Sequence, residues 1–434
     1  MHMPGHKGRA PFACGDLYAL DTTELPDTDD LWQPGPAIRE AEASFAACAG
    51  AAETLFLTGG STAGVHAMLQ LWAREGDTVI LPRNAHLSAV NACILGGLEI
   101  AWIPPSSAAD GYLYTSEEAV LETLTRHPEA RTLLLTRPDY MGGCIALNRI
   151  VGMAHGLGVR VAVDEAHGAH LPWSRSISSA SDAGADAWVQ STHKTLPALT
   201  GTAVLHLRNA ADRPRAMRLL RRELSSSPSY LLVRSIDDAR AWMEEHGARR
   251  LRDVTAGADR LRAMLSSAGY ADARDAWGDT GYAFDPTRLV IRAPQGGEAL
   301  AERLRERCID AEMAYGPWTV MILSAATAEA DLDALAKALA EIRPEGRAPA
   351  EPPLPLALPR RRMSVRAAAM AESEPVPLDR AAGRVAAESA GLYPPGIPLV
   401  VPGEEITGAV TAVLSAAQPD RRFGVEGECI LCAV

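Results

Sequence analysis

Seven short apolar runs, separated by helical patterns, limit most strongly what this chain can fold into. The runs occupy residues 54–57, 78–81, 99–103, 132–135, 159–163, 187–189 and 203–207. After the first run, Val65, Met68, Leu69 and Trp72 recur at the spacing of one helix face. This alternation favours an α/β fold with a mostly parallel, doubly wound sheet of seven strands.

Two of these runs are followed by residues that carry chemistry. The run at 159–163 leads into Asp164, and the run at 187–189 leads within a few residues to Lys194. Parallel strands bring such residues to one edge of a sheet, where α/β folds bind ligands. Pyridoxal phosphate needs a lysine that forms a Schiff base and an aspartate on its pyridine nitrogen. We therefore predict this cofactor, although a surface lysine and an aspartate that caps a helix remain alternatives.

A candidate phosphate site follows the first apolar run. Residues 59–64 read Gly-Gly-Ser-Thr-Ala-Gly and open a predicted helix. Free N–H groups and the dipole at a helix N-terminus favour an anion. Ser191 and His193, next to Lys194, also have side chains that suit a phosphate. An ordinary N-cap and tight turn is the alternative interpretation of the glycine-rich stretch.

Four histidines lie near these motifs: His86, His167, His170 and His193. The three-residue spacing of His167 and His170 would suit zinc only with a helix or knuckle and further ligands. We predict no metal and favour imidazoles that stack on the cofactor ring or bond its phosphate.

Composition excludes several classes of protein. The 434 residues carry a net charge of −12, which argues against nucleic acid as a partner. Seven scattered cysteines do not suggest a disulfide framework. No apolar run approaches the ~18 residues of a membrane span, and no signal peptide opens the chain. We expect a cytoplasmic protein that does not bind a membrane.

The pattern also predicts how the chain is divided. We expect an N-terminal arm at 1–40, a large cofactor-binding domain at 41–287 and a small α+β domain at 288–342. A Pro- and Arg-rich linker at 343–363 and a C-terminal segment at 364–434 follow. Within that segment, residues 393–399 (Tyr-Pro-Pro-Gly-Ile-Pro-Leu) predict a rigid turn without regular structure.

Several motifs, in order along nearly the whole chain, resemble the Orn/Lys/Arg decarboxylase family. They lie at residues 2–8, 59–62, 84–88, 164–170, 191–196, 227–230 and 393–399. The resemblance implies the aspartate aminotransferase fold, which is fold type I of the pyridoxal-phosphate enzymes. It is closest to the short forms that lack an N-terminal wing domain, and the family's segment ahead of residue 2 is almost absent. It also implies a homodimer or higher homo-oligomer with active sites at the subunit interface.

The same resemblance assigns roles to individual residues. Lys194 would be the Schiff-base lysine and Asp164 the partner of the pyridine nitrogen. His86 would stack on the ring, with His167 close by. Four residues would hold the phosphate: Ser61, Thr62, Ser191 and His193.

Three positions depart from the family pattern. Arg9 stands where a glycine is usual, Asp139 replaces a usual threonine, and Gly201 stands where glutamine is common. Asp139 would attract a cationic substrate, or repel the substrate carboxylate or alter the protonation of the cofactor, or only cap the following helix, although Gly142-Gly143 nearby favours a turn. We favour the first, which predicts a raised KM in Asp139→Thr.

The predicted reaction is decarboxylation of a basic L-amino acid (arginine, lysine or ornithine) to carbon dioxide and the corresponding amine. Transamination or oxidative deamination of the same substrates is the alternative within the same cofactor class. A non-catalytic homologue that binds a partner is the alternative from another class, and an intact Lys194 and Asp164 argue against it. The sequence alone does not choose the substrate.

Overall fold

The computed structural model describes residues 1–3, 6–7, 20–25, 27–348, 354–393 and 396–434. Its α-helices are α1 (Pro36–Ala49), α2 (Gly60–Trp72), α3 (Leu87–Gly96), α4 (Glu117–Arg126), α5 (Asn148–Gly156), α6 (Leu171–Ser174), α7 (Thr192–Thr195), α8 (Arg213–Glu223), α9 (Tyr230–Trp242), α10 (Ala248–Leu265), α11 (Gly297–Arg305), α12 (Glu329–Glu341), α13 (Val365–Ala369) and α14 (Gly408–Ala416). Arg9 and the Pro394-Pro395 pair of the predicted turn lie outside the described residues.

The strands are mostly short. They are β1 (Glu53–Leu57), β2 (Thr78–Pro82), β3 (Glu99–Ile103), β4 (Ser106–Ser107), β5 (Leu113–Tyr114), β6 (Thr132–Thr136), β7 (Gly143–Cys144), β8 (Arg160–Asp164), β9 (Ala187–Gln190), β10 (Ala203–Leu207), β11 (Ala271–Asp272), β12 (Ala283–Phe284), β13 (Arg288–Arg292), β14 (Met313–Tyr315), β15 (Trp318–Ile322), β16 (Ser373–Pro377), β17 (Ala390–Leu392), β18 (Ile397–Val400), β19 (Arg422–Phe423), β20 (Val425–Glu426) and β21 (Cys429–Ala433).

The seven apolar runs form one seven-stranded sheet, in the order β1-β10-β9-β8-β6-β2-β3. Strand β2 runs parallel to β3 and β6, and β8 runs parallel to β9. Strand β10 is antiparallel to both β1 and β9. The prediction of a mostly parallel sheet is therefore confirmed. Strands buried on both faces need continuous apolar sequence, which is why these runs do not alternate with polar residues.

The chain divides into two compact units. The first comprises residues 1–71, 136–151 and 162–349, and the second comprises residues 72–135, 152–161 and 350–434. The five-segment division drawn from the sequence stays a prediction. None of the helices in the described ranges is long and apolar enough to cross a membrane.

The first unit contains a second, antiparallel sheet in the order β11-β13-β15-β14. Its apolar face packs with α10, α11 and α12 around Leu261, Leu289, Leu300 and Leu335, each at most 2% exposed. The range 288–342, for which a small α+β domain was predicted, contains strands β13, β14 and β15 and helices α11 and α12. Arg288 is the first residue of β13, the strand that pairs with both β11 and β15 in this sheet.

The second unit encloses an ion pair. Arg83 follows β2, and its Nη1 and Nη2 atoms each donate to one carboxylate oxygen of Glu404 over 2.8 Å. The Glu404 carboxylate also accepts from the backbone N–H of Val401. Both charged residues are buried, at 6% and 2% exposure. Buried charges are stable only with such paired geometry.

The C-terminal part of the second unit corrects one prediction. Two three-stranded sheets, β16-β21-β20 and β18-β17-β19, surround a core that includes Val400, Ile406, Val410 and Ile430. Strand β18 begins at Ile397, so the predicted turn at 393–399 ends in regular structure. Proline is compatible with a strand here because Pro398 lies in β18, whose partner in the described sheet is β17.

Candidate functional site

The candidate site lies in the first unit, at the ends of β8 and β9. Asp164 is the last residue of β8 and pairs in register with Val189 of β9. Beyond that point the N–H of Glu165 donates to the carbonyl of Val189 over 3.0 Å. Lys194 lies on α7, the short helix that follows β9. The parallel register thus brings the Asp164 and Lys194 loops to one sheet edge, as the sequence predicted.

Lys194 is half-buried, and one polar side chain of the described residues lies within hydrogen-bond distance of its amine. Its Nζ atom lies 3.3 Å from Nε2 of His167. Burial lowers the pKa of Lys194 below its ordinary value. Asp164 and Glu312 oppose this shift by attraction, and Arg288 adds to it by repulsion. A lysine that loses its proton more readily is a better nucleophile near neutral pH.

Asp164 is only 6% exposed. Its Oδ1 accepts from the N–H of Ala166 over 3.2 Å, which holds the turn after the strand. The alternative of an aspartate that caps a helix does not apply, because a turn and not a helix follows β8.

His167 is surrounded by residues that the sequence did not single out as functional. Arg288 is fully buried, and its Nη2 lies 3.2 Å from His167 Nδ1. The ring of Tyr140 meets the imidazole edge to face, with 5.2 Å between centroids. The Tyr140 hydroxyl donates to Oε1 of Glu312 over 2.7 Å. A charged residue at the start of an apolar strand was the available signal for Arg288.

The predicted phosphate residues fit an anion at the start of α2. The Cβ of a residue at Gly64 would lie 2.5 Å from the Val189 side chain, so α2 packs directly on β9. Ser61 is half-buried and Thr62 exposed in the first turn of α2. Ser191, at the end of β9, is fully buried, yet its hydroxyl has no hydrogen-bond partner within the described part of the chain. A buried hydroxyl without a partner is a ready donor for a bound group.

Gly201 lies beside this region. Its carbonyl accepts from the N–H of Gly60, at the start of α2, over 2.7 Å. It has a φ of +90°, a conformation that glycine adopts without strain. The departure from the family's glutamine therefore has a conformational reason in this chain.

His193 and His170 differ in their surroundings. His193 is half-buried, and its Nδ1 lies 2.8 Å from the carbonyl oxygen of Thr202. Burial lowers the pKa of His193, and the nearby Lys194 lowers it further. His170 is 1% exposed, with Nε2 3.2 Å from Oδ2 of Asp285. This contact gives His170 a structural partner, and its suggested contact with the cofactor stays a prediction.

His86 lies in the second unit. It is exposed and occupies the N-cap position of α3, where its Nδ1 accepts from the N–H of Ser88. Stacking of its imidazole on a cofactor ring stays a prediction. Among the described residues, no group of three histidine, cysteine or acidic side chains could hold a metal ion.

Asp139 has a conformational role that the sequence left open. It is 9% exposed, and its Oδ1 accepts from the N–H groups of Met141 and Gly143 over 3.0 and 2.7 Å. These bonds hold the loop that leads into β7. A turn follows Asp139 and not the helix of the third alternative, and its effect on substrate binding stays a prediction.

Solved structures share this architecture. Lysine decarboxylase A from Pseudomonas aeruginosa matches with a TM-score of 0.81 and 18% identity, over 96% of this chain and 74% of its own. The lysine decarboxylase from Francisella novicida matches with a TM-score of 0.79 and 19% identity, over 93% and 72%. The fold is therefore that of the fold type I pyridoxal-phosphate enzymes, as predicted.

Two family models define the chain further. The major domain of the Orn/Lys/Arg decarboxylases matches residues 4–287, and their C-terminal domain matches residues 354–423. The chain belongs to the Orn/Lys/Arg decarboxylase family. Relatives named arginine decarboxylase are 32% identical in Bacillus subtilis and 33% in Halalkalibacterium halodurans. Both matches span 94% of this chain, and they cover 88% and 87% of those proteins. The predicted enzyme class, an amino-acid decarboxylase, is confirmed.

Proposed function

We propose that this enzyme decarboxylates L-arginine with pyridoxal phosphate as its cofactor, releasing carbon dioxide and the corresponding amine. The observation that carries the proposal is the pairing of Lys194 and Asp164 at adjacent parallel strand ends. Family membership and the fold both imply the cofactor.

The residues around Lys194 would hold the cofactor in defined ways. Ser191 would donate its unpartnered hydroxyl to the phosphate, together with Ser61, Thr62 and His193. Asp164 would keep the pyridine nitrogen protonated, since a nearby carboxylate favours a positive charge. Pyridoxal phosphate, when bound, supplies an electron-withdrawing ring that accepts the electrons left behind when carbon dioxide departs.

Lys194 would form the covalent link to the cofactor and return to it after turnover. Its lowered pKa supports this role, because only the neutral amine attacks a carbonyl. His167, 3.3 Å away, is placed to exchange a proton with the Lys194 amine. His86 would stack on the ring, as the family resemblance implies.

Glu312 supports recognition of a cationic substrate. Its Oε1 accepts from Tyr140, and its Oε2 accepts from the N–H of Met3 over 2.8 Å. Neither of these two donors carries a formal charge, and each carboxylate oxygen accepts more than one bond. Attraction by Glu312 opposes the lowering of the pKa of both Lys194 and Lys7, which supports a place for its charge near the site. A guanidinium would bind it in a bidentate manner.

We choose arginine among the basic amino acids because the relatives in Bacillus subtilis and Halalkalibacterium halodurans are both named arginine decarboxylase. Arginine would present a planar guanidinium to Glu312, whereas the side chains of lysine and ornithine each end in a single ammonium group without that planar set of donors. A cytoplasmic location and assembly into a homodimer or higher homo-oligomer remain predictions from the sequence and the family.

The test is incubation of the cofactor-loaded enzyme with arginine, lysine and ornithine in turn, with both carbon dioxide and amine measured. We expect equal amounts of both products, and the highest kcat/KM with arginine. A keto acid without carbon dioxide would show transamination or oxidative deamination instead. Lys194→Ala serves as the inactive control. Arg250→Met serves as a control for a half-buried arginine that bonds only the carbonyls of Ala325 and Thr327 among the described contacts.

A further inference from the structure

We propose that Arg288 is a positioning residue that acts through His167 to hold the Lys194 amine in its neutral form. The inference rests on the proposed role of Lys194, and it concerns the protein before cofactor binds. Three side chains carry it: a guanidinium, an imidazole and an amine, joined in that order by two contacts.

The first contact fixes which nitrogen of His167 carries a proton. Arg288 Nη2 lies 3.2 Å from His167 Nδ1. A guanidinium has only donors and does not lose its proton in proteins. His167 Nδ1 must therefore accept, and a neutral imidazole then carries its single proton on Nε2.

The second contact links the position of the His167 proton to the protonation state of Lys194. His167 Nε2 lies 3.3 Å from Lys194 Nζ. With its proton on Nε2, His167 is the donor, so Lys194 must supply a lone pair. An ammonium group has three donors and no acceptor, whereas a neutral amine has a lone pair. The arrangement is satisfied only when Lys194 has released its proton to solvent.

The charges around Lys194 set the balance against which this arrangement acts. Asp164 and Glu312 attract a positive charge on Lys194, while Arg288 repels it. His193 is affected in turn by Lys194. Burial and Arg288 favour the neutral amine of Lys194, whereas the two carboxylates favour its ammonium form. The hydrogen bonds from Arg288 to His167 and from His167 to Lys194 add a geometric preference for the neutral amine.

Arg288 itself is held firmly enough to act this way. Arg288 is 0% exposed. A Cβ added at Gly142 would lie 2.7 Å from the Cβ of Arg288, so the loop at 139–143 packs against the aliphatic part of the arginine side chain. Its charge is balanced by Asp285, whose pKa is held low by His170 and Arg288 against the opposing effect of burial. Its Nε and Nη1 have no hydrogen-bond partner among the described residues, so the bond to His167 is its one side-chain contact of this kind there.

The first experiment reads the imidazole directly. Apoprotein labelled with ¹⁵N-histidine would be studied by NMR at pH 7.5, with His167 assigned from the signals lost in His167→Asn. We expect Nδ1 without a proton and Nε2 with one. A proton on Nδ1, or a doubly protonated ring, overturns the inference, and no arginine variant is needed for this result.

The second experiment reads the amine without measuring turnover. The rate at which acetic anhydride labels Lys194 in the apoprotein would be followed against pH by peptide mass spectrometry. We expect Arg288→Met to raise the midpoint by about one pH unit, and Arg288→Lys by less. Arg250→Met should leave it unchanged.

A double-variant comparison separates the relay from simple repulsion. Arg288→Met should raise the midpoint less in a His167→Phe background than in the wild-type background, because the hydrogen-bond path is already broken. An equal rise in both backgrounds would show that Arg288 acts by charge alone, and would overturn the proposal. If the enzyme does not decarboxylate arginine, the proposed substrate is wrong. The NMR spectrum of His167 and the pH dependence of Lys194 labelling would still test the role of Arg288, because both are measured on the apoprotein.

Discussion

Gln190 donates from Nε2 to Oε2 of Glu165 over 2.7 Å, and neither residue is exposed to solvent. The bond belongs to a buried polar chain that crosses the large sheet. His206 Nε2 lies 3.2 Å from the Gln190 amide oxygen, and His206 Nδ1 lies 2.8 Å from the Thr54 hydroxyl. The turn that follows Asp164 is thus supported by buried side chains of three neighbouring strands, β9, β10 and β1.

Glu165 should make stability depend on pH. Burial raises its pKa to about 7, against the opposing effects of Gln190 and Arg137. An acid with a raised folded-state pKa stabilises the fold fully below its unfolded value, and this contribution is lost as pH rises through about 7. The free energy of unfolding should therefore fall between pH 5 and 7, by up to about 1.4 kcal/mol per pH unit.

Urea denaturation across that pH range checks this expectation. Glu165→Gln should flatten the decline, while the exposed Glu122→Gln should leave it as in the wild type. Identical pH profiles for wild type and Glu165→Gln would show that Glu165 is ionised throughout.

Lys194→Ala should lower kcat by at least ~10³-fold, because it removes the amine assigned to the Schiff base. The variant should also lose the covalent link to the cofactor, as checked by borohydride reduction and peptide mass. A variant that retains near wild-type turnover would remove Lys194 from its assigned role.

Asp164→Asn should retain part of the cofactor but lose most of the activity. A carboxylate beside a ring nitrogen raises its pKa by roughly 1–3 units, and each unit is worth about 1.4 kcal/mol. We expect kcat to fall roughly 10- to 1000-fold. Unchanged kcat would mean that Asp164 only holds the turn through its bond to Ala166.

Asp139→Thr should lower stability with little effect on KM, contrary to the expectation drawn from the sequence. The variant loses the carboxylate oxygen that accepts from Met141 and Gly143. Loss of buried hydrogen bonds of this kind costs about 1–3 kcal/mol. Asp139→Asn keeps an acceptor oxygen and should stay close to wild type in urea denaturation. A raised KM for arginine at unchanged stability would restore a role in substrate binding.

Glu404→Leu should destabilise the protein by about 3–5 kcal/mol, because it leaves the buried Arg83 without its carboxylate. Combining it with Arg83→Met should recover most of the loss, since the uncompensated charge is removed as well. Chemical denaturation of the single and double variants tests this. A double variant as unstable as Glu404→Leu would place the cost in packing and not in charge.

The sequence predicted the parts of the molecule that local pattern encodes. Continuous apolar runs identified the seven strands, and strand ends identified Asp164 and Lys194. Arg288 and Glu312 were missed because their roles depend on a contact across 121 residues with His167 and across 172 residues with Tyr140, which no local pattern records. The bonds from the N–H groups of Met141 and Gly143 to Asp139 were missed for a related reason, since only the folded loop shows which N–H groups face its carboxylate.

The Arg83–Glu404 pair has a consequence for the synthesis of the protein. Its two members are separated by 321 residues, and the ribosome makes Arg83 first. At about 5–20 residues per second, roughly 16–64 s pass before Glu404 is added. During that interval the guanidinium has no anion to enter the interior with, so the nascent second unit must keep this strand end hydrated. A chain that ends before residue 404 would lack Glu404 altogether, so Arg83 would remain hydrated and its strand end would not become buried as in the full chain.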